Sequence, residues 1–361
     1  MSQIFVRWFK RNFSNPQSII LATLLIAGFL ALYLIGEILM PLLVATVLAY
    51  LLEWAVSALI KRNWPRMVSV VIVFLAFCTI SLGIVIGIIP LLAKQGELLF
   101  TDLPNMAHNI QLKLLALPEQ YPDLITKEQI EAIIAQFGSS ISNAGDMLLS
   151  FSLASFKNII TIMIYMFLVP MLIFFFLKDK DPILSWLTRW LPAERQLSMR
   201  VWGEVDIQIG NYVRGKVVEI FVVGVVTYIS FVFFNLNYAV LLSVLVGLSV
   251  LVPYIGATIV TIPVILVGLF QFGTGDTFLY LMIAYLIIQA LDGNLLVPLL
   301  FSETNNLHPV AIITAVLFFG GVWGFWGVFF AIPLATLFVA VTDAMNESKN
   351  NEFVNGETDN K

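Results

Sequence analysis

Val217-Val-Glu-Ile-Phe-Val-Val-Gly224 opens a run that does not close until Ser348: 132 residues with neither lysine nor arginine, most of them apolar. Water would not keep such a segment dispersed. A bilayer accepts it, because a basic head among lipid tails is costly. The acids inside the run have no basic side chain near them in sequence. Asp292 is the deepest, about seven residues from the nearer end of an apolar stretch, roughly 10 Å at 1.5 Å per residue. Gln289 shares its helical face, and Gly293-Asn294 follow. An acid at that depth is a functional candidate by default. The competing reading is a structural acid that holds helices together by hydrogen bonding.

Composition agrees. The chain is 60% hydrophobic and 12% charged, against about 25% charged in soluble domains. A net charge of -4 gives no sign of nucleic-acid binding. Cys78 is the sole cysteine, and His108 and His308 are the only histidines, so no disulfide or Cys/His metal cluster is expected. The basic start (Arg7, Lys10, Arg11) and the apolar run behind it lack a small-x-small cleavage site, which reads as a retained first span.

A spanning helix needs about 20 apolar residues. Candidates are 18–35, 39–60, 67–93, 156–177, 217–235, 239–271, 278–299 and 309–341. Two are too long for one simple helix. The run 239–271 is interrupted at Val252-Pro253-Tyr254-Ile255-Gly256, and 309–341 at Gly320-Gly321, then Gly324 and Gly327. Each is either a kinked helix or a hairpin that enters and leaves by one side. Broken backbone at membrane depth survives only where protein buries it or it lines a wet cavity.

Loop charge sets the orientation. The amino-terminal tail, the turn with Lys61, Arg62 and Arg66, and the segment 178–216 with seven basic residues should be cytoplasmic. The segment 94–155 has three lysines against seven acids and should lie outside. Within it Leu99, Leu103, Met106 and Ile110 share one helical face. Ile130, Ile134, Phe137, Ile141, Ala144, Leu148 and Phe151 form a heptad seam, so a helical hairpin is expected. The organisation is therefore spans 1–3 in 1–93, an outer hairpin in 94–155, a span at 156–177, a cytoplasmic amphipathic segment at 178–216, a membrane domain at 217–341 and a disordered tail at 342–361. The fold is all-α and multi-pass, with about eight spans including the two broken or re-entrant elements.

Two catalytic-looking matches fail. Gly210-Asn-Tyr-Val-Arg-Gly215-Lys216 fits a phosphate-binding loop for seven positions, but Val217 stands where Ser or Thr must hold magnesium. Lys216 and Glu219 then read as a local pair on a basic anchor. Gly273-Thr-Gly-Asp276 has no second aspartate near enough to share a proton, and reads as a turn. Gly83-Ile-Val-Ile-Gly87 reads as a helix-packing motif. His308, beside Pro309, reads as an interfacial residue.

Five strings taken in order resemble the autoinducer-2 exporter family of bacterial inner-membrane proteins. They are Pro170 to Asp179, Tyr212-Val-Arg-Gly-Lys216, Val252 to Gly256, Asp292-Gly-Asn294 through Pro298, and Leu307-His308-Pro309 leading to Ile332-Pro333-Leu334-Ala335. The resemblance covers about residues 5–345. It implies cytoplasmic termini, an outer domain after the third span and a homo-oligomer, a pentamer among the candidate forms. It ties members to export of autoinducer-2 and, elsewhere, to sodium–proton exchange.

The leading expectation is a secondary transporter of a small polar solute or ion across the inner membrane, proton- or sodium-coupled, with no ATP, metal or cofactor. Its site would be formed by Asp292, Asn294, Gln289, Pro253, Tyr254, Gly256, Gly320 and Gly321, where unwound carbonyls and helix ends can coordinate polar groups. A passive channel, or a non-transporting scaffold acting through the outer hairpin, are the alternatives.

Overall fold

A computed structural model describes residues 16–120, 164–189, 196–253, 255–301 and 307–358. Among them every regular element is helical. The heptad seam, Tyr254 and Trp190 lie outside the described residues.

Helix α1 runs from Pro16 to Ile60, 45 residues or about 67 Å, where the sequence suggested two spans, 18–35 and 39–60. Only Pro41 interrupts it, and a proline removes one hydrogen bond without ending a helix. Helix α2 (Arg66–Gly83), a π-helical turn (Ile84–Ile88) and α3 (Ile89–Gln120) form one continuous run. The third span thus continues without a break into the segment expected outside. Helix α4 (Ile164–Lys178) is short, and α5 (Lys180–Arg189) follows it. Helix α6 spans Gln196–Phe233, so the second half of the expected cytoplasmic segment is the lower part of a span. Then come α7 (Ala239–Ser249), α8 (Ile255–Phe272), α9 (Asp276–Leu291), a second π turn (Asp292–Leu296), α10 (Val297–Phe301) and α11 (Pro309–Thr358). The tail read as disordered continues α11 to Thr358; no proline and no glycine before Gly356 stops it.

Among the described residues, five helical stretches are long and apolar enough to cross a membrane: Leu39–Ile60, Arg66–Met106, Asp206–Phe233, Ile255–Phe272 and Asp276–Phe301. Their outward faces are apolar: Phe233 is 79% and Leu299 69% exposed. That is the surface lipid requires and water penalises. The protein is a multi-pass membrane protein.

The chain divides into two compact units. One comprises residues 1–75, 168–217 and 298–361. Here Tyr50 donates its hydroxyl to the Asp206 carbonyl at 3.0 Å, and Phe74 packs on Phe174. Helix α11 is not one rod. Gly324 has φ +59, a left-handed conformation that favours glycine. The backbone reverses there, so that Gly327 reaches the Phe319 carbonyl and Gly320 reaches Val328. The apolar parts of the two arms, Val310–Gly324 and Gly327–Val339, are each about 20 Å long, short of the ~30 Å hydrocarbon core.

The other unit comprises residues 76–167 and 218–297. Its core joins Leu99 and Met106 of α3 to Val223 and Phe231 of α6, Leu242 and Val246 of α7, Val264 of α8, and Leu281 and Tyr285 of α9. Leu99 and Met106 of the apolar face read on α3 are therefore buried, with Leu103 packed beside them. Helices α7 and α8 also form a hairpin. Gln271 Nε2 donates to the Asn235 carbonyl at 2.7 Å, and the Asn237 amide donates to Gln271 Oε1 at 2.7 Å, so the chain returns to the level it left. At 11 residues, or about 16 Å, α7 reaches only about halfway through the hydrocarbon core. Both interrupted runs therefore fold back on themselves as helical hairpins.

Gly83 and Gly87, read as a packing motif, meet nothing within 4 Å. They flank and enter the first π turn and are exposed. The close helix crossing lies elsewhere. A β-carbon on Gly247 of α7 would stand 2.9 Å from the Ile220 carbonyl and 3.1 Å from Gly224 Cα of α6.

Candidate functional site

Asp292 is the first residue of the second π turn, between α9 and α10. A π turn widens the helix by one residue and leaves its carbonyls out of the regular i→i−4 ladder. Such turns recur at functional sites. Asn294, in the same turn, is exposed and donates its amide back to the Ala290 carbonyl at 2.8 Å. Asp292 and Gln289 are half-buried, and Asp292 Oδ1 and Gln289 Nε2 are sealed from solvent.

From Asp292 a line of polar groups runs back along one face of α9. The spacing Leu281, Tyr285, Gln289, Asp292 is four, four and three, one side of a helix. Tyr285 is fully buried, its hydroxyl 2.9 Å from Thr261 Oγ1 on α8, and Gln289 follows one turn later on the same face. Thr261 in turn bonds the Ala257 carbonyl at 2.7 Å, one residue past Gly256 at the hairpin tip. Thr261 and Tyr285 thus tie the helix that follows the 252–256 break to the helix that leads into Asp292. Sequence reasoning singled out neither. Thr and Tyr are ordinary span residues, and their 24-residue separation hides the pairing.

At the tip, the Val252 amide bonds the Ser249 carbonyl at 3.1 Å and the Gly256 amide bonds the Val252 carbonyl at 2.9 Å. Gly256 is buried and Pro253 half-buried. Gly320 and Gly321 belong to the other unit, in the first arm of α11; Gly320 packs against Val328 and Gly321 is exposed with nothing near it. His308 is exposed, and its Nδ1 accepts the Val310 amide at 3.3 Å at the start of α11.

Sequence reading undervalued one feature of α6. Lys216 and Glu219, taken for an interfacial pair, are 5% and 2% exposed. They lie on the buried face of α6 with Tyr212, Val223, Thr227 and Phe231. The Lys216 ammonium stands 5.3 Å over the Phe301 ring. The supposed phosphate-loop glycines are inside this helix and serve packing: Gly210 abuts the Tyr50 hydroxyl, and a β-carbon on Gly215 would meet Phe301 at 2.6 Å. The signal was available, since 212, 216, 219, 223 and 227 share one helical face.

The remaining constellation is structural. Tyr238, in the turn before α7, donates its hydroxyl to Asp102 of α3. The Leu241 amide donates to Gln95 at 2.8 Å. Burial, then the bond to Asp102, push the Tyr238 phenol up to about 12. No group of three or more metal-ligating side chains occurs among the described residues.

The chain matches the family model described as AI-2E family transporter over residues 21–347. It is 48% identical over 344 residues to PerM of Escherichia coli strain K12, named as a candidate permease, covering 95% of this chain and 98% of that one. It is 25% identical over 308 residues to YueF of Bacillus subtilis strain 168, named as a candidate transport protein, covering 83% and 82%. A candidate transport protein of the archaeon Archaeoglobus fulgidus is 28% identical over 184 residues, about half of each chain. With a match that takes in both hairpins, the π turn at Asp292 and the buried face of α6, the chain belongs to the AI-2E transporter family.

Proposed function

We propose that the protein is a secondary transporter that moves a small polar solute or ion across the bacterial inner membrane, with Asp292 as its coupling acid. The observation that carries this reading is the polar face of α9, where Tyr285 bonds Thr261, where Gln289 and Asp292 follow in line, and which ends in a π turn. A purely structural acid has no need of an opened helix turn beside it. Opened turns and hairpin tips supply carbonyls that can bind an ion or polar group in lipid. A carboxyl in a low-dielectric site can exchange a proton for a cation, which is what coupling requires. Asn294, Pro253, Tyr254 and Gly256 complete the binding region, and Gly320 and Gly321 supply flexibility in the second hairpin.

Charge supports a cytoplasmic position for the Lys61–Arg66 turn and the segment from Lys178. A cytoplasmic amino terminus, which Arg7, Lys10 and Arg11 favour, requires α1 to part near Gly36–Pro41 in the bilayer, since a straight α1 crosses it only once. The test is flux in liposomes of purified protein against a panel of cations and small polar solutes, with and without an imposed proton gradient. Gradient-dependent flux of at least one supports coupling. Flux indifferent to every gradient favours a channel.

A further inference from the structure

In the unit formed by residues 1–75, 168–217 and 298–361, four helix ends meet around Glu53. Glu53 lies near the end of α1 and its side chain is 15% exposed. It accepts Lys180 of α5 at 3.1 Å and faces Arg66 at the start of α2 at 3.6 Å. Arg66 also donates to the Leu177 carbonyl at the end of α4 at 3.0 Å, and stands 4.0 Å from Asp181. Two of the three local acids are thus engaged by Arg66 and Lys180.

The outer ring of this cluster is basic. Lys61 and Arg62 occupy the exposed turn between α1 and α2, where Asn63 has φ 64 and turns the chain back. Lys178 is exposed and follows Leu177, the residue whose carbonyl Arg66 holds. The turn and the α4–α5 junction are therefore tied together by Arg66. Across the α1–α2 turn, the α4–α5 junction and Glu53, the described residues set five bases (Lys61, Arg62, Arg66, Lys178, Lys180) against three acids (Glu53, Asp179, Asp181), on a chain whose net charge is -4. Two tryptophans frame the group: Trp64 is 45% and Trp186 56% exposed. Helix α5 adds exposed Leu184 and Leu187 beside Trp186. Exposed Trp beside Lys and Arg at the ends of spans is the composition of the headgroup layer. Clustered bases beside spans attract anionic lipid.

We propose that Lys61, Arg62 and Lys178, framed by Trp64 and Trp186, bind the phosphate of an anionic phospholipid headgroup. The inner pairs hold the four helix ends in place and absorb the local acids. The three outer bases then keep their charge for a ligand. The indole rings pack on the glycerol and upper acyl region. Occupation would bridge the α1–α2 turn to the α4–α5 junction, so the lipid would stabilise the assembled unit.

The experiment uses the full-length protein in nanodiscs of phosphatidylcholine with graded phosphatidylglycerol, and reads thermal unfolding. Phosphatidylglycerol should raise the midpoint at low salt, and high salt should erase most of the gain. The triple variant Lys61→Gln/Arg62→Gln/Lys178→Gln should need roughly a hundredfold more phosphatidylglycerol for the same gain, at about a fivefold loss for each base. If that variant does not assemble, Trp186→Ala and the wild-type salt dependence carry the test. Glycerol phosphate in solution serves as the second probe: stabilisation by it equal to that by the lipid would mean a free-phosphate site and overturn the lipid assignment. Equal midpoints in the two lipids at low salt, or a triple variant that responds like wild type, would overturn the site altogether.

Discussion

Gly327 lies against the Phe319 carbonyl, where any β-carbon would overlap the oxygen, and Gly256 meets the Ser249 carbonyl in the same way. Each hairpin is thus closed by a glycine of its second arm pressed on a carbonyl of its first. The backbone, not a side chain, sets the closeness of the arms.

Gly327→Ala and Gly256→Ala should therefore force the arms apart. The expected loss is about 1–3 kcal/mol each, the usual range for overpacking. Gly321→Ala serves as the control, because it has nothing within 4 Å and an unremarkable backbone. Thermal unfolding of the purified variants checks this. Equal midpoints for Gly327→Ala and Gly321→Ala would contradict the fold-back of α11.

Tyr238 and Asp102 fix the entry of the first hairpin to α3. Tyr238→Phe should cost about 1 kcal/mol, low for a bond to a carboxylate because the group is half-exposed. Its phenol value, raised to about 12, means the folded protein holds this proton more tightly than the unfolded chain does. The bond's contribution is thus complete below about pH 10, the ordinary tyrosine value. It is lost as pH rises from there toward 12. Unfolding midpoints of wild type and Tyr238→Phe should differ at neutral pH and converge in strong alkali. Parallel curves throughout would show that the bond contributes nothing.

Lys216 sits within α6, over the Phe301 ring, and not in a nucleotide loop. Lys216→Gln should lower stability by about 1–2 kcal/mol, the loss of the cation–π contact contributing to it. ATP should leave the wild-type midpoint unchanged. A midpoint that rises with ATP in wild type and not in Lys216→Gln would restore the nucleotide reading.

Much of the fold can be read from the sequence, because lipid imposes a simple rule on composition. The apolar runs, the two interruptions at Pro253 and Gly324, and the depth of Asp292 are all visible there. The reversal itself is not, because it depends on a glycine meeting a carbonyl seven or eight residues earlier. The unity of α1 is hidden for the opposite reason: the apolar runs 18–35 and 39–60 read as two spans, yet the helix continues through the residues between them and through Pro41. Lys216 and Glu219 were misread because a charge beside an apolar run usually marks the interface, and only the packing of α6 shows them buried. Thr261 and Tyr285 carry no signal that distinguishes them from span filler until α8 and α9 pack together.

The central claim is that Asp292 titrates during transport. Asp292→Asn keeps the size and most of the hydrogen bonding of the carboxyl but cannot release a proton. In liposomes loaded with a solute that the wild-type protein moves, flux should be measured across a pH series with the variant beside wild type, at matched protein incorporation. The account predicts that Asp292→Asn inserts and unfolds like wild type, while its gradient-driven flux is lost or becomes insensitive to pH. Asp292→Glu should restore part of the flux with a shifted pH profile. Transport by Asp292→Asn with an unchanged pH profile would contradict the account and leave Asp292 as a structural acid.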